Sequence, residues 1–415
     1  MHFFSPDSSD FYGFVEAAKM NYSPIRSSLI SMQNLFEDSC NPGYHNYFSS
    51  LTRASLEMAE RMTRDYKKPQ FGITDCEIDG KLQEVQQSVL LQGPFCHLLH
   101  FSKPNYKQQQ PKLLIVAPMS GHHATLLRET VHDTLPHFDV YITDWVDAKQ
   151  VPITDGSFDL DDFIDYVITY VKFLSYNVHV LAVCQPTVPV LAATAIMSED
   201  DPSRVPKSMI LIGGPIDARK NPTQPNNFAT DKSLVWFDKV LVTNVPENYP
   251  GYRRRVYPGF LQLTAFINMN LNKHVNSHVE LFNDLLNNNT EKAQKQKKFY
   301  NEYFSVMDLT AEFYLQTIKE VFHDFSLAKG TFVSRGRKVN LDFINNTALM
   351  GIEGENDDIA AVGQTKAALK LCKNIADNKK CYHLQKNVGH YGSFTGSKFK
   401  SIILPKIKEF VYANN

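Results

Sequence analysis

The stretch from His179 to Met197, HVLAVCQPTVPVLAATAIM, decides the fold of this chain. The apolar run Val178 to Val183, which overlaps its first part, has the composition of a strand that is covered on both faces. Cys184 follows directly, and Pro186 falls near the first turn of a helix, where a missing N–H costs nothing. The stretch is nearly long enough to span a bilayer, but Gln185 and two prolines interrupt it and no basic residues flank it. We therefore predict a buried strand that turns at Cys184 into a buried helix.

Strands and helices alternate on both sides of this stretch. Two β-prone runs, Glu84 to Leu91 and Pro94 to Ser102, meet at Gln92-Gly93 and predict an antiparallel hairpin. The remaining apolar runs predict strands at Lys112–Ala117, Val140–Thr143, Ser208–Gly214, Thr347–Ile352 and Cys381–Leu384, with helices at Gly121–Leu135, Leu160–Leu174 and from Thr187. This alternation predicts an α/β protein with a mostly parallel sheet and helices on both faces.

About 130 residues of mainly helical sequence separate two of the predicted core strands. We predict that residues 219–345 form an inserted lid, that residues 81–218 and 346–415 form the core, and that residues 1–80 form an N-terminal helical extension. Within the extension, the spacing of four apolar residues predicts one buried helix face, made by Leu51, Ala54, Met58 and Met62. Asp155 or Ser157 is expected to cap the helix that begins near Leu160.

Composition excludes several functional classes. The 415 residues include 43 Lys and Arg against 44 Asp and Glu, so the formal net charge of -1 argues against a nucleic-acid binder. The hydrophobic content of 43% is enough for a large core. Six scattered cysteines without CxxC pairs argue against a zinc site and a disulfide scaffold, and they favour a reducing compartment; they are Cys40, Cys76, Cys96, Cys184, Cys372 and Cys381. The start of the chain, MHFFSPDSSDFYGF, has no secretory signal pattern, so we expect a cytoplasmic protein without a membrane span.

Cys184 lies where an α/β-hydrolase holds its nucleophile, although a buried cysteine taken alone is more often structural. A helix terminus favours a thiolate there, and a thiol nucleophile needs a base and an orienting acid. After a further predicted strand come Asp357 and Asp358, and after the last strand comes His390 in a glycine-containing loop. Nucleophile, acid and histidine in this order are typical of the α/β-hydrolase triad. Only one of the adjacent acids can orient the imidazole, and we favour Asp357.

Two backbone N–H groups are candidates for an oxyanion hole. The residue after the nucleophile, Gln185, supplies one, and Met119 in the loop after the strand Lys112–Ala117 supplies the other. Pro186 departs from the G-x-S-x-G pattern, which has a small residue at that position. His122 and His123 have no nearby carboxylate at helical spacing, so no metal is expected.

Longer phrases resemble the intracellular poly(3-hydroxybutyrate) depolymerases. The phrases are APMSGHHATLLR, YITDWVDAKQVP, VLAVCQPTVPVLAA, RVYPGFLQLTAFINMNL, FYNEYFSVMDLTAEFYLQT, GENDDIAAVGQT and NVGHYGSFTG. The resemblance implies an α/β-hydrolase fold with a lid, and a Cys, Asp and His triad that falls on Cys184, Asp357 and His390. It implies attack on an aliphatic polyester of cytoplasmic storage granules, with water or coenzyme A taking up the acyl group. No cofactor is implied, and a homo-oligomer stays open.

The lid is rich in aromatic residues, which suit an apolar polymer. We hypothesise that Trp236, Tyr252 and Tyr257 contact the substrate, although packing within the lid is the more frequent role for such residues.

Three other functions are compatible with the sequence. A polyhydroxyalkanoate synthase uses the same triad, but its nucleophile turn usually is G-x-C-x-G, whereas here the turn is Ala182 to Pro186. A catalytically silent granule protein would have no need for three catalytic partners together. A carboxylesterase acting on soluble esters is the third alternative.

Overall fold

The computed structural model describes residues 8–37 and 46–415. Cys40 and the first seven residues, on which part of the sequence argument rests, lie outside the described residues. The strands are β1 Asp75–Ile78, β2 Lys81–Glu84, β3 Gln86–Gln92, β4 Cys96–Ser102, β5 Lys112–Val116, β6 Asp139–Trp145, β7 His179–Val183, β8 Ser208–Ile212, β9 Thr243–Asn244, β10 Arg255–Tyr257, β11 Leu309–Thr310, β12 Val333–Ser334, β13 Arg337–Lys338, β14 Ala348–Gly354 and β15 Lys380–Gln385. The helices are α1 Ser8–Glu37, α2 Tyr47–Thr63, α3 Arg128–Thr134, α4 Leu160–Phe173, α5 Thr187–Asp200, α6 Gln224–Asp231, α7 Leu234–Leu241, α8 Gly259–Met269, α9 Leu271–Leu286, α10 Thr290–Tyr303, α11 Ala311–Thr317, α12 Ser326–Lys329, α13 Ala367–Leu371, α14 Gly396–Lys398 and α15 Leu404–Ala413.

Eight strands form the central sheet in the order β15-β14-β8-β7-β5-β6-β4-β3. All neighbours are parallel except β4, which is antiparallel to both β3 and β6. Every residue of β7 and β8 is buried, because helices cover both faces of the sheet. Numbered along the chain, the eight strands lie in the order 1-2-4-3-5-6-7-8, the arrangement of the α/β-hydrolase fold. The predicted fold class is confirmed.

The order in which successive strands are added to the sheet changes direction between β5 and β7. The loops after these two strands therefore diverge and leave a crevice at one edge of the sheet. Parallel strands all end at this edge, and the turns that follow β5, β7, β14 and β15 therefore come together there. This topology positions the candidate site.

The segment predicted to be a lid, residues 219–345, contains seven α-helices, α6 to α12, together with two small antiparallel sheets. One sheet joins β9, β10 and β11, and the other is the β12–β13 hairpin. The N-terminal helix α1 contacts this segment: Tyr12 donates a hydrogen bond of 2.5 Å to Asp308, and Tyr249 donates one of 2.6 Å to Glu16.

Three local expectations need correction. The predicted boundary at residue 80 falls in the β1–β2 hairpin, where Asp79 and Gly80 both have positive φ, so the extension is not wholly helical. Met62 is 83% exposed, and the predicted buried face of α2 therefore ends before it. The cap of α4 is Asp159, whose side chain accepts from the N–H of Asp162 in a reciprocal capping box.

Within the described ranges, none of the helices combines the length and the apolarity that a membrane span requires.

Candidate active site

The strand-to-helix turn holds Cys184 in a strained conformation. Its φ is 67°, a left-handed value that costs an L-residue about 1–2 kcal/mol. Two contacts keep the backbone there: the Cys184 N–H donates to the carbonyl of Ile212 at 2.7 Å, and the Cys184 carbonyl accepts from Thr187 Oγ1 at 2.9 Å. The turn therefore directs the thiol out of the carboxyl edge of the sheet, where it is only partly buried.

Two glycines that follow β8, Gly213 and Gly214, allow the turn at Cys184 to pack closely against the end of that strand. A Cβ on Gly214 would lie 1.8 Å from Thr187 Oγ1, so no larger residue fits there. Gly213 has a φ of 57°, and a Cβ on it would lie 3.2 Å from Asp357 Oδ2 and 3.4 Å from the His390 ring. These two residues make room for the nucleophile turn and for the carboxylate and imidazole beside it.

The structure brings Asp357 and His390 into contact. Asp357 Oδ2 lies 2.8 Å from His390 Nδ1, and both side chains are buried. The other carboxylate oxygen, Oδ1, accepts hydrogen bonds from the N–H groups of Ile359 and Ala360 at 2.9 and 2.8 Å. Asp358 is exposed and has its contact elsewhere. Of the two adjacent acids, the geometry therefore selects Asp357 as the partner of the imidazole.

The surroundings of His390 favour its charged form. Burial alone would lower the pKa of His390, but the charge of Asp357, the charge of a Cys184 thiolate, and hydrogen bonds to both groups together raise it well above its usual range. Since Nδ1 faces Asp357, Nε2 is the nitrogen that remains for Cys184. The arrangement can accept a proton from the thiol and hold it as an imidazolium.

The predicted oxyanion-hole residues have backbone donors without partners. Met119 is buried in the loop after β5, and Gln185 follows Cys184 at the start of α5. In the part of the chain that the structure describes, neither of these N–H groups donates a hydrogen bond. Free donors at this edge of the sheet are what a developing oxyanion requires.

The lid segment is fastened to the loop that carries Met119. Gly121 accepts a hydrogen bond from the N–H of Met307 at 2.8 Å, and His122 forms a β-bridge with Val306. His122 Nε2 also lies 3.1 Å from the Tyr303 carbonyl. These contacts join the loop to the segment from Tyr303 to Met307.

The three aromatic residues predicted to contact substrate all lie in the lid segment, and two of them pack against other rings of that segment. Tyr257 is buried and stacks on Tyr314 with ring centroids 4.1 Å apart, so its ring offers little free surface. Trp236 is half-buried and packs edge-on against Phe237. Of the three, only Tyr252 is exposed.

The structure places no further metal-ligating side chains around His122 and His123 among the described residues. Burial lowers the pKa of His122 to about 4 and that of His123 to about 3, so both are neutral. Across the described residues, no group of three or more His, Cys, Asp or Glu side chains is placed to hold a metal ion.

One residue near the site was not singled out from the sequence. Glu353, at the end of β14, is fully buried and accepts hydrogen bonds from Gly363 N–H, Lys366 N–H and the Tyr382 hydroxyl at 2.6–3.0 Å. Through these bonds it holds the loop that begins with Asp357. A buried acid at the end of a core strand is the signal that could have found it, because a buried carboxylate requires several donors.

The C-terminal half of the chain matches a known family. Residues 213–415 match the family model described as "PHB de-polymerase C-terminus", where PHB is poly(3-hydroxybutyrate). The chain carries the C-terminal domain of the PHB depolymerase family. It is therefore an ester hydrolase with a polyester substrate. The matched region includes Asp357 and His390, whereas Cys184 precedes it.

Solved structures with the same general outline are distant in sequence. A monoacylglycerol lipase of Paleococcus ferrophilus is 10% identical, with 80% of this chain and 100% of that chain covered and a TM-score of 0.42. The α/β hydrolase GrgF from Penicillium sp. sh18 is 13% identical, with coverages of 80% and 98% and a TM-score of 0.44. A meta-cleavage product hydrolase from Pseudomonas fluorescens IP01 is 14% identical, with coverages of 82% and 98% and a TM-score of 0.42. A search of curated proteins gives no match.

Proposed function

We propose that the chain is a cysteine-dependent depolymerase of poly(3-hydroxybutyrate), with Cys184 as nucleophile, His390 as base and Asp357 as the orienting acid. The observation that carries this proposal is the 2.8 Å contact between buried Asp357 and His390 at the sheet edge where Cys184 follows β7. The strained φ of Cys184 supports the nucleophile assignment, because strain of this kind clusters at functional sites.

The chemistry takes two steps. In the first, His390 takes the thiol proton of Cys184, the sulfur attacks the ester carbonyl, and the N–H groups of Met119 and Gln185 stabilise the oxyanion. The intermediate collapses as the C–O bond breaks, and His390 returns its proton to the departing alcohol end of the polymer. This leaves a 3-hydroxyacyl thioester on Cys184.

In the second step the thioester is released. Water gives a proton to His390 and attacks the thioester carbonyl. The C–S bond then breaks, and His390 returns the proton to the sulfur, which yields a free carboxylic acid and restores the thiol of Cys184. Coenzyme A is the alternative acceptor, and its thiol would produce 3-hydroxybutyryl-CoA in place of the acid. Asp357 stabilises the imidazolium in both steps.

We also propose that residues 219–345 act as a lid over this site. The hydrogen bond between Gly121 and Met307 and the bridge between His122 and Val306 support this role, because they connect the segment to the loop of the oxyanion hole. Tyr252 is the most exposed of the three predicted aromatic residues and is therefore the one that we propose for polymer contact, whereas Trp236 is half-buried and Tyr257 is buried.

The natural form of the substrate would be a cytoplasmic granule, and helix α1 has a surface suited to it. Phe14, Ile25 and Met32 are separated by 11 and 7 residues, or about three and two helical turns, so they lie on one face. They are 68%, 51% and 46% exposed. Between residues 11 and 36, every charged side chain of α1 is in an ion pair: Lys19 with Glu16 and Arg26 with Glu60. An apolar and uncharged face fits an uncharged polyester surface.

The test incubates wild type and Cys184→Ala with amorphous poly(3-hydroxybutyrate) granules, with and without coenzyme A, and identifies the soluble products. We expect wild type alone to release 3-hydroxybutyrate or its oligomers, and 3-hydroxybutyryl-CoA would indicate thiolysis. Chain elongation from 3-hydroxybutyryl-CoA would instead show a synthase. Inactivity in every assay would show a non-catalytic granule protein.

A further inference from the structure

The core sheet holds one side of the loop that carries Met119. Two residues before Met119, the Ala117 N–H donates a hydrogen bond of 2.9 Å to Thr143 Oγ1, and the Ala117 carbonyl accepts one of 2.8 Å from Trp145 Nε1. Thr143 and Trp145 both belong to β6 and are fully buried. The start of the loop is therefore fixed by side chains of the neighbouring strand.

The lid segment holds the other side of the loop through Gly121, two residues after Met119. Gly121 has a φ of 101°, which glycine adopts without strain and larger residues do not. Its carbonyl accepts a hydrogen bond of 2.8 Å from the Met307 N–H. The side chain of Gln262 covers its Cα, since a Cβ on Gly121 would lie 2.7 Å from Gln262 Oε1 and 3.2 Å from Gln262 Cβ. Two residues of the lid segment thus restrain Gly121.

Gln262 also restrains the residue that binds Gly121. It lies on α8 and is 4% exposed. Its Nε2 donates hydrogen bonds to the Tyr257 carbonyl at 3.1 Å and to the Met307 carbonyl at 3.3 Å. Met307 is therefore held by Gln262 at its carbonyl, while its N–H binds Gly121. A single buried amide contacts both partners of the hydrogen bond that fixes this end of the loop.

We infer that Gln262 is a positioning residue for the oxyanion hole, because by holding Gly121 and Met307 it fixes the direction of the Met119 N–H. Residues 117–121 are restrained at one end by the core and at the other by the lid segment, and Met119 lies midway between. A donor that is already oriented stabilises an oxyanion without reorganisation, so loosening one end of the loop should slow the chemical step. The inference rests on the proposed function, since it needs Met119 to act on an oxyanion.

Two reactions of Cys184 separate positioning from general damage to the site. Hydrolysis of a soluble 3-hydroxybutyrate trimer passes through an oxyanion and therefore needs the Met119 N–H. Alkylation by iodoacetamide does not, because the thiolate sulfur forms a C–S bond as the C–I bond breaks and iodide leaves with the electron pair. Steady-state kinetics give kcat and KM for the trimer, and mass spectrometry of the peptide that contains Cys184 gives the alkylation rate.

The test variant is Gln262→Met, which keeps the length of the side chain and removes both hydrogen bonds. A second variant, Gln262→Asn, keeps the amide on a side chain that is one methylene shorter. The control is Gln296→Met, because Gln296 lies on α10 and its Nε2 also donates to a backbone carbonyl of the lid segment, that of Ser277. Circular dichroism checks that each variant is folded.

We expect Gln262→Met to lower kcat for the trimer by about tenfold, while KM and the alkylation rate of Cys184 stay at the wild-type values. Gln262→Asn should lower kcat in the same way, and it decides the outcome if Gln262→Met does not fold. Gln296→Met should leave all three quantities unchanged. An equal fall in kcat and in the alkylation rate would overturn the inference, and so would a wild-type kcat in a folded Gln262 variant.

Cys184→Ala distinguishes a failure of this inference from a failure of the proposed function. Loss of trimer hydrolysis in Cys184→Ala, together with a wild-type kcat in the Gln262 variants, would overturn the role of Gln262 alone. Trimer hydrolysis that persists in Cys184→Ala would overturn the Cys184 mechanism, and the role of Gln262 with it.

Discussion

Asn270, which caps the C-terminal end of helix α8, donates a hydrogen bond of 3.1 Å from its Nδ2 to Asp358 Oδ2. The preceding residue, Asp357, turns the other way and lies 2.8 Å from His390. Two adjacent carboxylates are thus divided between two tasks: one contacts the candidate base, and the other contacts the lid segment. The division gives a direct test of which acid serves the reaction.

Asparagine substitution separates the two acids. Asp357→Asn keeps the shape of the side chain but removes the charge that stabilises the imidazolium, so kcat should fall by about 10³–10⁴-fold. Asp358→Asn keeps a side-chain oxygen for Asn270 and should change kcat little. Both are measured as initial rates of 3-hydroxybutyrate release. Equal losses in the two variants would contradict the assignment of Asp357.

The amino-acid sequence is enough to predict the structure where the pattern lies within a short segment. A buried strand, a turn at Cys184 and a helix follow each other within twenty residues, and apolar runs alone predict them. The edge at which Asp357 and His390 meet also follows from the sequence, because parallel strands end on the same side of a sheet.

Contacts between residues that are distant in the sequence could not be predicted from it. Met62 fits the helical period of α2, but whether a neighbour covers it depends on the tertiary structure, and it is exposed. Tyr257 is as aromatic as Tyr252, yet a partner 57 residues away in sequence, Tyr314, buries its ring. A side chain at position 213 would crowd Asp357, which approaches from the loop after β14, and no local pattern shows this contact.

Backbone strain at Cys184 predicts an unusual order of stability. At a φ of 67°, glycine is unstrained whereas alanine is not, so Cys184→Gly should be more stable to unfolding than Cys184→Ala by about 1 kcal/mol. Urea denaturation of the two inactive variants measures the difference. A control pair at Ser198, which lies within helix α5, should show the reverse order, with Ala more stable than Gly. The same order at both positions would argue against strain at the turn.

Glu353 should stabilise the loop of Asp357. Glu353→Gln places an amide NH₂ among the donors from Gly363, Lys366 and Tyr382, and it should lower the free energy of unfolding by about 1–3 kcal/mol. Glu355→Gln is the matched control, since Glu355 is exposed. Denaturant midpoints of both variants and wild type give the comparison. A larger effect at Glu355 would show that the buried carboxylate has no such role.

The raised pKa of His390 predicts a pH dependence of stability. Because the folded protein holds this proton more tightly than the unfolded chain, whose histidine pKa is about 6.5, the stabilisation is complete below that pH. It is then lost as the pH rises through the folded pKa. The free energy of unfolding of wild type, minus that of His390→Gln, should therefore fall as the pH is raised from 6.5. Urea titrations across this range measure it, and a difference that rises with pH would reverse the sign that we derive.

The uncharged face of α1 should determine how the protein partitions onto polyester. Replacing Phe14, Ile25 and Met32 together by serine removes apolar area from one face of the helix. The equilibrium constant for binding to granules should therefore fall by at least about tenfold. Hydrolysis of a soluble 3-hydroxybutyrate trimer should be unchanged, because no candidate triad residue is altered.

A matched triple variant distinguishes this face from exposed apolar area in general. Ile153, Phe173 and Val333 are about as exposed as the α1 residues but lie elsewhere on the chain. Serine at these three positions should leave granule binding near the wild-type value in the same sedimentation assay. Equal losses in the two triple variants would mean that apolar area adheres to the polymer wherever it lies. Loss of trimer hydrolysis in the α1 variant would mean that the helix affects the site rather than the surface contact.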